Sequence, residues 1–415
     1  MKPKFFNKHI SIVLFLFFFS LIFAGCGLFK KRPPEIKETA LTKIDSSAYP
    51  DFFDDMDYDS LENCILGSIS YLNRVPPTKT FRFGQDIFDS AHMIRSLEYF
   101  LQFIRTKPLK NELIRYIKNN YLVYTTVGSD TPGQVFFTGY YEPVLEGSLN
   151  KDSEYSFPIY ARPDDLTTIN LSLFSQQFKG ETIVGRYTNQ RVVPYYDRKE
   201  IEYEGLLEGK VQEIAWLKDR FDLFFLQIQG SGKIYLDNGE IINVHYHGSN
   251  GQPYRSIGKL LVDEGKISRE EISMQKIRDY LRQHPEEVET VLNYNPSYVF
   301  FKVEKEGPLG SLEVKLTPGR SIALDRRLFP LAGLAFIETK KPLINGDRTI
   351  HKWMAFSRFV LNQDTGGAIR GPGRADLFWG NGPYAEIAAG HMQEFGKLYF
   401  LILTILIKHS FQSFL

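Results

Sequence analysis

An excess of charge of one sign is absent from this 415-residue sequence. Its 50 lysines and arginines are matched by 49 aspartates and glutamates, which gives a formal net charge of +1. Proteins that bind nucleic acid attract the phosphate backbone with a basic surface. The charge balance therefore argues against nucleic acid as a partner.

Cysteine and several common catalytic motifs are also scarce or missing. The chain has two cysteines, Cys26 and Cys64. A lipid on Cys26, which the N-terminal segment suggests, would leave Cys64 as the single free thiol. We therefore predict no intramolecular disulfide and no zinc site built on cysteines. The sequence has neither the Gly-Lys-Ser/Thr ending of a phosphate loop nor a Gly-x-Ser-x-Gly elbow, so neither a nucleotide hydrolase nor a serine hydrolase is supported.

The N-terminal apolar run is too short for an ordinary membrane span. It extends over residues 10–24, follows three lysines and has the length of a signal-peptide core. The segment 23–26, Phe-Ala-Gly-Cys, resembles the lipobox at which bacteria cut a signal peptide and lipidate the cysteine. The resemblance implies a lipid on Cys26, and Gly27 in place of an aspartate favours the periplasmic face of the outer membrane. Plain secretion is the alternative.

The composition is that of a folded protein with a sizeable core. Hydrophobic residues make up 43% and aromatic residues 14% of the chain, and the length suggests two domains. Residues 30–50 are polar and contain Pro33-Pro34, which predicts a tether over 26–50, with order beginning near Tyr49.

Apolar residues at helical spacing predict helices over 87–103 and 113–121. Residues 268–292 are also predicted to be helical, because Ser268 and Glu271 have capping-box spacing and Pro285 suits a first helical turn.

The remaining patterns favour strands. We predict strands over 134–141 and 222–229, the second buried on both faces. Glycine-containing turns at 230–232 and 237–239 then predict a β-meander with strands at 233–236 and 240–246. The run from Leu398 to Ile407 is predicted to be a closing strand, with an unexplained tail beyond it.

Two aspartates stand 12 positions apart in a segment rich in glycine and proline, which permit tight turns and close approach to a ligand. Asp376 precedes Leu377, Phe378 and Trp379, an apolar environment that would raise its pKa. A carboxyl that stays protonated near neutral pH can act as a general acid. An aspartate that only caps a turn is the alternative for both Asp364 and Asp376.

This segment resembles the C-terminal "3D" domain of the membrane-bound lytic murein transglycosylase A family. The stretch 364–369, Asp-Thr-Gly-Gly-Ala-Ile, is followed by 374–380, Arg-Ala-Asp-Leu-Phe-Trp-Gly, and the third aspartate of the domain would be Asp325. Further segments are similar to the same family, in the family's order: 137–143, 225–232, 250–259, 273–275 and 295–301.

The resemblance implies a mainly β fold, a double-psi β-barrel domain with a second, smaller inserted β-domain and a few peripheral helices. The implied boundaries are 1–25 for the signal peptide, 26–50 for the tether, 51–146 and 305–400 for the barrel, 147–304 for the insert and 401–415 for the tail. The 3D domain would span about 310–400. The glycan would bind in a groove between barrel and insert.

The resemblance also implies a lytic transglycosylase, a lyase that acts on peptidoglycan glycan strands, with no metal or organic cofactor. Asp376 would act first as acid and then as base at the β-1,4 bond between N-acetylmuramic acid and N-acetylglucosamine, leaving a 1,6-anhydro end. Asp364 would support the transition state or only brace the Gly366-Gly367 turn, and Asp325 is expected to be structural. The sequence leaves exolytic or endolytic action open.

Several residues are candidates for holding the glycan. Tyr140, Tyr141 and Trp379 could stack on sugar rings, while Arg255 and Arg374 could meet carboxylates of muramic acid units. Packing or turn formation is the alternative for each. The full set of candidate binding residues is Thr138, Gly139, Tyr140, Tyr141, Gln229, Ser231, Arg255, Arg374 and Trp379.

Competing functions receive less support. His245 and His247 share a strand face but have no partner ligands at a recognisable spacing, so a solvated strand face is expected rather than a metal site. A hydrolase on the same barrel and a lipoprotein that only tethers peptidoglycan remain as rivals. Product analysis separates the hydrolase from the transglycosylase, and binding alone would not require an acid at Asp376.

Overall fold

The computed structural model describes residues 39–129 and 131–405, so the predicted signal peptide and Cys26 lie outside the described residues. In the described part, nine α-helices are present: α1 Leu61–Arg74, α2 Ser90–Ile104, α3 Lys110–Asn120, α4 Arg198–Glu202, α5 Arg220–Gln229, α6 Ile257–Asp263, α7 Met274–Gln283, α8 Val288–Asn293 and α9 Pro383–His391.

The same residues form nineteen strands: β1 Leu41–Lys43, β2 Thr80–Phe83, β3 Asp86–Asp89, β4 Tyr121–Thr126, β5 Val135–Tyr140, β6 Val144–Ser148, β7 Phe157–Tyr160, β8 Thr167–Asn170, β9 Thr182–Thr188, β10 Arg191–Pro194, β11 Glu213–Leu217, β12 Ser231–Leu236, β13 Ile241–Ser249, β14 Val299–Glu304, β15 Ser321–Ala323, β16 Leu334–Ile344, β17 Ile350–Asp364, β18 Arg374–Phe378 and β19 Glu394–Leu403.

Six of these strands close into a barrel. They follow the order β19-β16-β17-β15-β18-β5, and β5 pairs back onto β19, while β4 and β1 extend the sheet from β19. Closure leaves these six strands without a free edge. Residues before β6 and residues after β14 therefore build one barrel, whose side chains form the largest hydrophobic core.

A second sheet is formed by the residues between β5 and β15. Its strand order is β14-β13-β12-β6-β11-β7. The chain between β7 and β11 forms a separate three-stranded sheet with the order β10-β9-β8. Helix α5 packs on this sheet. The mainly β architecture, the closed barrel and the few helices confirm the predicted fold class, and the double-psi crossover remains a prediction.

The predicted strand at 222–229 is wrong, because this segment is helix α5. The Asp219 carboxylate accepts the backbone N–H of Phe221 (2.7 Å), which caps the start, and Gly230 ends the helix with a φ of +79°. Leu223 and Leu226 pack into the core of the second sheet, whereas the neighbouring phenylalanines pack into a cluster of helices. The helix packs against two layers, and its polar residues stand on opposite sides, Arg220 and Gln227 on one and Asp222 and Gln229 on the other, so its sequence lacks the usual single apolar stripe.

The predicted helix over 268–292 is shorter and broken. Ser268 bonds to Glu271 within a turn (2.9 Å), and α7 instead begins after Ser273, whose hydroxyl accepts the N–H of Lys276 (3.1 Å). Pro285 opens a 3₁₀ turn that leads into α8. The helices predicted near 87–103 and 113–121 are confirmed as α2 and α3.

The remaining strand predictions are largely confirmed. β5 and β19 match the predicted strand at 134–141 and the closing strand, and β12 and β13 pair across the predicted 237–239 turn. The prediction of a turn between two strands at 230–232 is wrong, because β12 begins at Ser231 directly after helix α5. Order begins earlier than Tyr49, since β1 pairs with β4.

Within the described ranges, no helix is both long and apolar enough to cross a membrane.

Candidate active site

Strand register brings the two aspartates of the glycine-rich segment onto one face of the barrel. Ala323 on β15 pairs with Asp364 on one side and with Asp376 on the other, and Asp376 pairs with Thr138 on β5. Residues opposite each other on paired strands project to the same face. The intervening residues, such as Leu377 and Phe137, point into the barrel core. The aspartates therefore lie on the outer face.

Asp376 is half-buried and held by a short chain of hydrogen bonds. The Thr138 hydroxyl donates to its Oδ1 (2.8 Å), and Arg374 Nη2 donates to the Thr138 hydroxyl oxygen (3.2 Å). The guanidinium of Arg374 also lies over the ring of Phe136, 4.9 Å from its centroid. These contacts fix Oδ1 and leave Oδ2 without a hydrogen-bond partner among the described residues.

Asp364 accepts more hydrogen bonds than Asp376 does. Its Oδ1 accepts the backbone N–H groups of Ser311 (2.9 Å) and Thr365 (2.8 Å), and its Oδ2 accepts the hydroxyl of Tyr140 (2.9 Å). Both oxygens therefore have donors, which favours a fixed role over a mobile one.

Both carboxyls have pKa values well above the usual range. Burial raises the pKa of Asp376 to about 6, against the lowering effects of the Thr138 hydrogen bond and the Arg374 charge, and the Asp364 charge raises it further. Burial likewise raises the pKa of Asp364 to about 6, although the N–H groups of Thr365 and Ser311 and the Tyr140 hydroxyl act to lower it. Asp376 has the protonation behaviour that a general acid needs near neutral pH.

Asp325 makes a separate set of contacts, with Arg327 and Gly371. Its side chain is fully buried and forms an ion pair with Arg327 (2.6 Å), and its Oδ2 accepts the N–H of Gly371 (3.0 Å). Burial acts to raise the pKa of Asp325, but the hydrogen bonds from Arg327 and Gly371 outweigh it and hold the pKa below its usual value. An ionised, fully bonded carboxylate of this kind anchors backbone.

The three aromatic candidates for sugar stacking are buried by packing rather than exposed to solvent. Tyr140, Tyr141 and Trp379 expose 9%, 7% and 8% of their surface. The ring of Tyr140 contacts Phe378, and a Cβ at Gly139 would lie 2.6 Å from the Trp379 indole. Of the three, Tyr140 contacts an aspartate, through its hydroxyl, whereas Tyr141 and Trp379 pack in the largest core.

The other candidates fall into two groups. Gln229 accepts the N–H of Tyr141 (2.9 Å) and so ties α5 to the end of β5, and Ser231 is buried at the start of β12. Arg255 is exposed, with its guanidinium 5.7 Å from the Tyr294 ring centroid, and is not among the residues that line the cleft described next. Thr138 and Arg374 are the candidates that the structure brings directly to Asp376.

A cleft of about 790 Å³ opens beside Arg374. One wall comes from the glycine-rich loop of the barrel and the other from the second sheet and its loops. The lining residues are Ser249, Gly251, Gln252, Pro253, Tyr254, Ser256, Ser297, Gly367, Ala368, Arg370 and Arg374. Sequence reasoning missed most of them as site residues, although 250–259 was recognised as a family segment and Arg370 stands inside the glycine-rich one.

The two histidines do not form part of a metal cluster. His245 is buried with its Nδ1 unbonded, and His247 is exposed. Across residues 39–129 and 131–405, no group of three or more His, Cys, Asp or Glu side chains could hold a metal ion.

Family models match most of this architecture. The "MltA specific insert domain" matches residues 136–302 and the "3D domain" matches residues 320–402. These ranges cover the second sheet together with β5, and the aspartate-bearing strands of the barrel.

Curated relatives agree. The chain is 33% identical over 277 residues to membrane-bound lytic murein transglycosylase A of Vibrio cholerae, covering 66% of each protein. It is 34% identical over 277 residues to the same-named protein of Escherichia coli K12, covering 66% of this chain and 67% of that one. The chain thus spans about two thirds of the length of these relatives.

Solved structures extend the likeness to the whole fold. A membrane-bound lytic murein transglycosylase from Agrobacterium tumefaciens has a TM-score of 0.71 and 30% identity, over 88% of this chain and 98% of that one. MltA of Neisseria gonorrhoeae has a TM-score of 0.64 and 27% identity, over 88% and 92%. E. coli MltA with bound chitohexaose has a TM-score of 0.62 and 26% identity, over 83% and 90%. With both domain models, curated relatives above 30% identity and these structures in agreement, the chain belongs to the membrane-bound lytic murein transglycosylase A family.

Proposed function

We propose that this chain is a peptidoglycan lytic transglycosylase with Asp376 as its catalytic residue. The observation that carries the proposal is a half-buried carboxyl with a pKa of about 6, beside an interdomain cleft, in a member of this family. The relatives are named lytic murein transglycosylases, and one was crystallised with a chitin oligosaccharide. The substrate would be the β-1,4 bond between N-acetylmuramic acid and N-acetylglucosamine.

The chemistry requires a proton donor first and a proton acceptor second. Protonated Asp376 gives its proton to the glycosidic oxygen as the bond to the anomeric carbon breaks. The C6 hydroxyl of the same muramic acid then attacks the anomeric carbon, and the Asp376 carboxylate takes the hydroxyl proton. The products are a 1,6-anhydro end and a free hydroxyl on the departing sugar, and Asp376 is again protonated.

Asp364 suits a supporting role in this scheme. Its three hydrogen bonds, from Ser311, Thr365 and Tyr140, hold it in place. In its ionised form it would stabilise positive charge that develops on the sugar ring in the oxocarbenium-like transition state. It would also brace the turn that follows it, through Thr365.

The remaining candidates would act around this centre. Thr138 and Arg374 orient Asp376, and Arg374 borders the cleft. Gly139, Tyr140, Tyr141, Gln229, Ser231 and Trp379 would shape the glycan site from behind, through packing and backbone contacts. Arg255 is exposed and lies outside the cleft lining, so it would contact only more distant parts of the glycan strand.

Digestion of purified peptidoglycan by the parent chain and by Asp376→Asn tests the proposal, with products identified by mass spectrometry. We expect 1,6-anhydromuropeptides from the parent and a loss of at least about 10²-fold in the variant, which is the usual contribution of a general acid. Circular dichroism checks that the variant is folded. Reducing-end products would identify a hydrolase, and binding without cleavage would favour a tethering lipoprotein.

We further propose that the protein is held at the periplasmic face of the outer membrane by a lipid on Cys26. The lipobox-like segment before Cys26 supports this, as does the description "membrane-bound" in the names of the relatives. Cell fractionation of a Cys26→Ser variant checks it: if the variant stays in the outer-membrane fraction, the lipid anchor is not the cause of attachment.

A further inference from the structure

The cleft beside the aspartates has a charge pattern that the cleavage chemistry does not require. Arg370 and Arg374 both line it, and no aspartate or glutamate of the described ranges does so. Arg374 donates to Thr138, whereas Arg370 has no ion pair or side-chain hydrogen bond with any described residue. The opposite wall carries uncharged polar groups, among them Gln252 and Ser297. The charge of Arg374 is partly balanced by Asp376, so it is Arg370 that presents to the cleft a positive charge without a counter-charge among the lining residues.

Arg370 is exposed, but the loop that carries it is fixed on both sides. On one side Ile369 is buried, with 3% of its surface exposed, and its N–H bonds to the carbonyl of Gly366 (3.1 Å). On the other side the N–H of Gly371 bonds to the buried Asp325 carboxylate (3.0 Å), which Arg327 neutralises. The third aspartate of the domain thereby holds the backbone next to Arg370 at the cleft. These contacts fix the backbone of Arg370 at the edge of the cleft.

We propose that this cleft binds a carboxylate carried by the muramic acid side of the substrate, with Arg370 as the recognition residue and Arg374 as its neighbour. A guanidinium presents paired donors that match a carboxylate, and it stays charged at any physiological pH. The carboxylate could be the lactyl group of a peptide-free strand or a group on the attached peptide. Polymers of N-acetylglucosamine alone carry neither. The inference rests on the proposed function, which supplies the substrate class.

Calorimetric titration tests the proposal without any need for turnover. The purified chain with Asp376→Asn would be titrated with three probes: a peptide-bearing muramyl tetrasaccharide, the same sugar after removal of the peptide, and chitotetraose. The measurement is repeated with Arg370→Gln added. Arg82→Gln serves as the matched control, because it removes the same charge from an exposed position on β2, outside the cleft.

We expect Arg370→Gln to weaken binding of a carboxylate-bearing probe by about three- to fivefold, the upper part of the range for a solvent-exposed ion pair. The loss should shrink as salt is added, because salt screens exposed charges. Chitotetraose binding should not change, and Arg82→Gln should leave all three probes unaffected. A loss confined to the peptide-bearing probe identifies a peptide carboxylate. A loss confined to the peptide-free probe identifies the lactyl carboxylate, which is bound as an uncharged amide when the peptide is present. A loss with both muramyl probes shows that the cleft accepts a carboxylate from either source.

Two results would overturn the inference: unchanged binding of both muramyl probes, or equal weakening of chitotetraose. The proposed function fails separately, in the digestion experiment, if the parent chain cleaves no peptidoglycan. Because the titration uses an inactive background, its outcome does not depend on that result.

Discussion

The hydroxyl of Thr138 connects two charged groups of opposite sign. It donates to Asp376 and accepts from Arg374, so its proton is directed at the carboxylate. A hydrogen bond to the ionised form of an acid lowers its pKa, whereas the neighbouring charge of Asp364 and burial raise it. The resulting pKa of about 6 is therefore a balance that single substitutions should shift in opposite directions.

Thr138→Val removes the hydroxyl while keeping the shape of the side chain. Without that hydrogen bond the ionised carboxylate of Asp376 is less stable, so its pKa rises. The general acid must be protonated, and kcat/KM therefore falls as pH rises through this pKa. We expect the alkaline limb of the pH profile to move to higher pH by about one pH unit, from a charged hydrogen bond worth about 1.5 kcal/mol. Thr138→Ser, which keeps the hydroxyl, should leave the limb within a few tenths of its original position.

Asp364→Asn should move the same limb the other way. The negative charge of Asp364 raises the pKa of Asp376, so its removal lowers that pKa and brings the alkaline limb to lower pH. The measurement is again kcat/KM against pH, on the same peptidoglycan. A shift in the same direction as that of Thr138→Val would contradict the proposed coupling between the two aspartates.

At this scale the sequence predicted the electrostatics of Asp376 better than the surroundings of the nearby aromatic rings. The apolar neighbours of Asp376 indicated a raised pKa, and burial does raise it. Tyr140 was a candidate for stacking on a sugar ring, with packing as the alternative, and in the structure its hydroxyl bonds to Asp364 and its ring is buried. Which side of a strand faces the site depends on register with β18, and no local pattern encodes that pairing.

At the scale of the elements, the site depends on close packing between β5, β18 and α9. A Cβ at Gly139 would lie 2.6 Å from Trp379 and 2.9 Å from the Cα of Ala389 on α9. The N–H of Trp379 also bonds to the carbonyl of Tyr140 (2.9 Å). Glycine at 139 therefore lets the indole and the helix approach the strand that carries Thr138.

Gly139→Ala should destabilise the protein through overpacking. Because backbone and a buried indole are in the way, relief requires a shift of strand or helix, and the expected loss is about 1–3 kcal/mol in the free energy of unfolding. Denaturant titration measures it. Gly346→Ala is the control, since no atom lies within 4 Å of the added Cβ, and its effect should stay within about 0.5 kcal/mol. Equal stability of the two variants would exclude this packing role.

The elements that the sequence predicted well are those with one buried face. Helices α2 and α3 show the periodicity of a helix on a surface, and β5 shows the aromatic and β-branched content of a strand. Helix α5 was predicted as a strand because it contacts two cores and so has no single continuous polar face. Asp219 before it and Gly230 after it were the local signals that could have identified it.

At the scale of the whole molecule, a buried ion pair joins the start of the described chain to the barrel. Arg320 has no exposed surface, and its guanidinium donates to both oxygens of Asp54 (2.6 and 2.9 Å). Asp54 also accepts the backbone N–H of Phe359 on β17 (3.0 Å). The segment before α1 is thus fastened to the barrel strand that ends at Asp364.

Asp54→Ala should cost about 3–5 kcal/mol in the free energy of unfolding, because it leaves the buried guanidinium of Arg320 without its carboxylate partner. The control is Asp51→Ala, which breaks an exposed pair with Lys110 and should cost less than about 1 kcal/mol. Thermal and denaturant unfolding of both variants measure the difference. Similar losses for both would show that the buried pair adds no special stability.

The boundary between barrel and insert was predicted from the resemblance rather than from composition, because no linker-like segment separates them. Barrel closure joins β5 to β18 and β19 across the whole insert, and such long-range pairing has no local signature in the sequence. The charged cleft was missed for the same reason, since its walls come from 249–256 and 367–374.

Barrel closure across the insert also determines when the site can exist during synthesis. Thr138 and Asp376 are 238 residues apart in sequence, and β19, which closes the barrel against β5, follows both. Pairing over such separations is slow compared with local folding. The second sheet and its helices can therefore form before β5 pairs with β18 and β19. Every chain that ends before β18 lacks Asp376, the proposed general acid, and every chain that ends before β19 lacks a closed barrel. Under the proposed function, a chain that is still being synthesised gains its general acid only when β18 is complete.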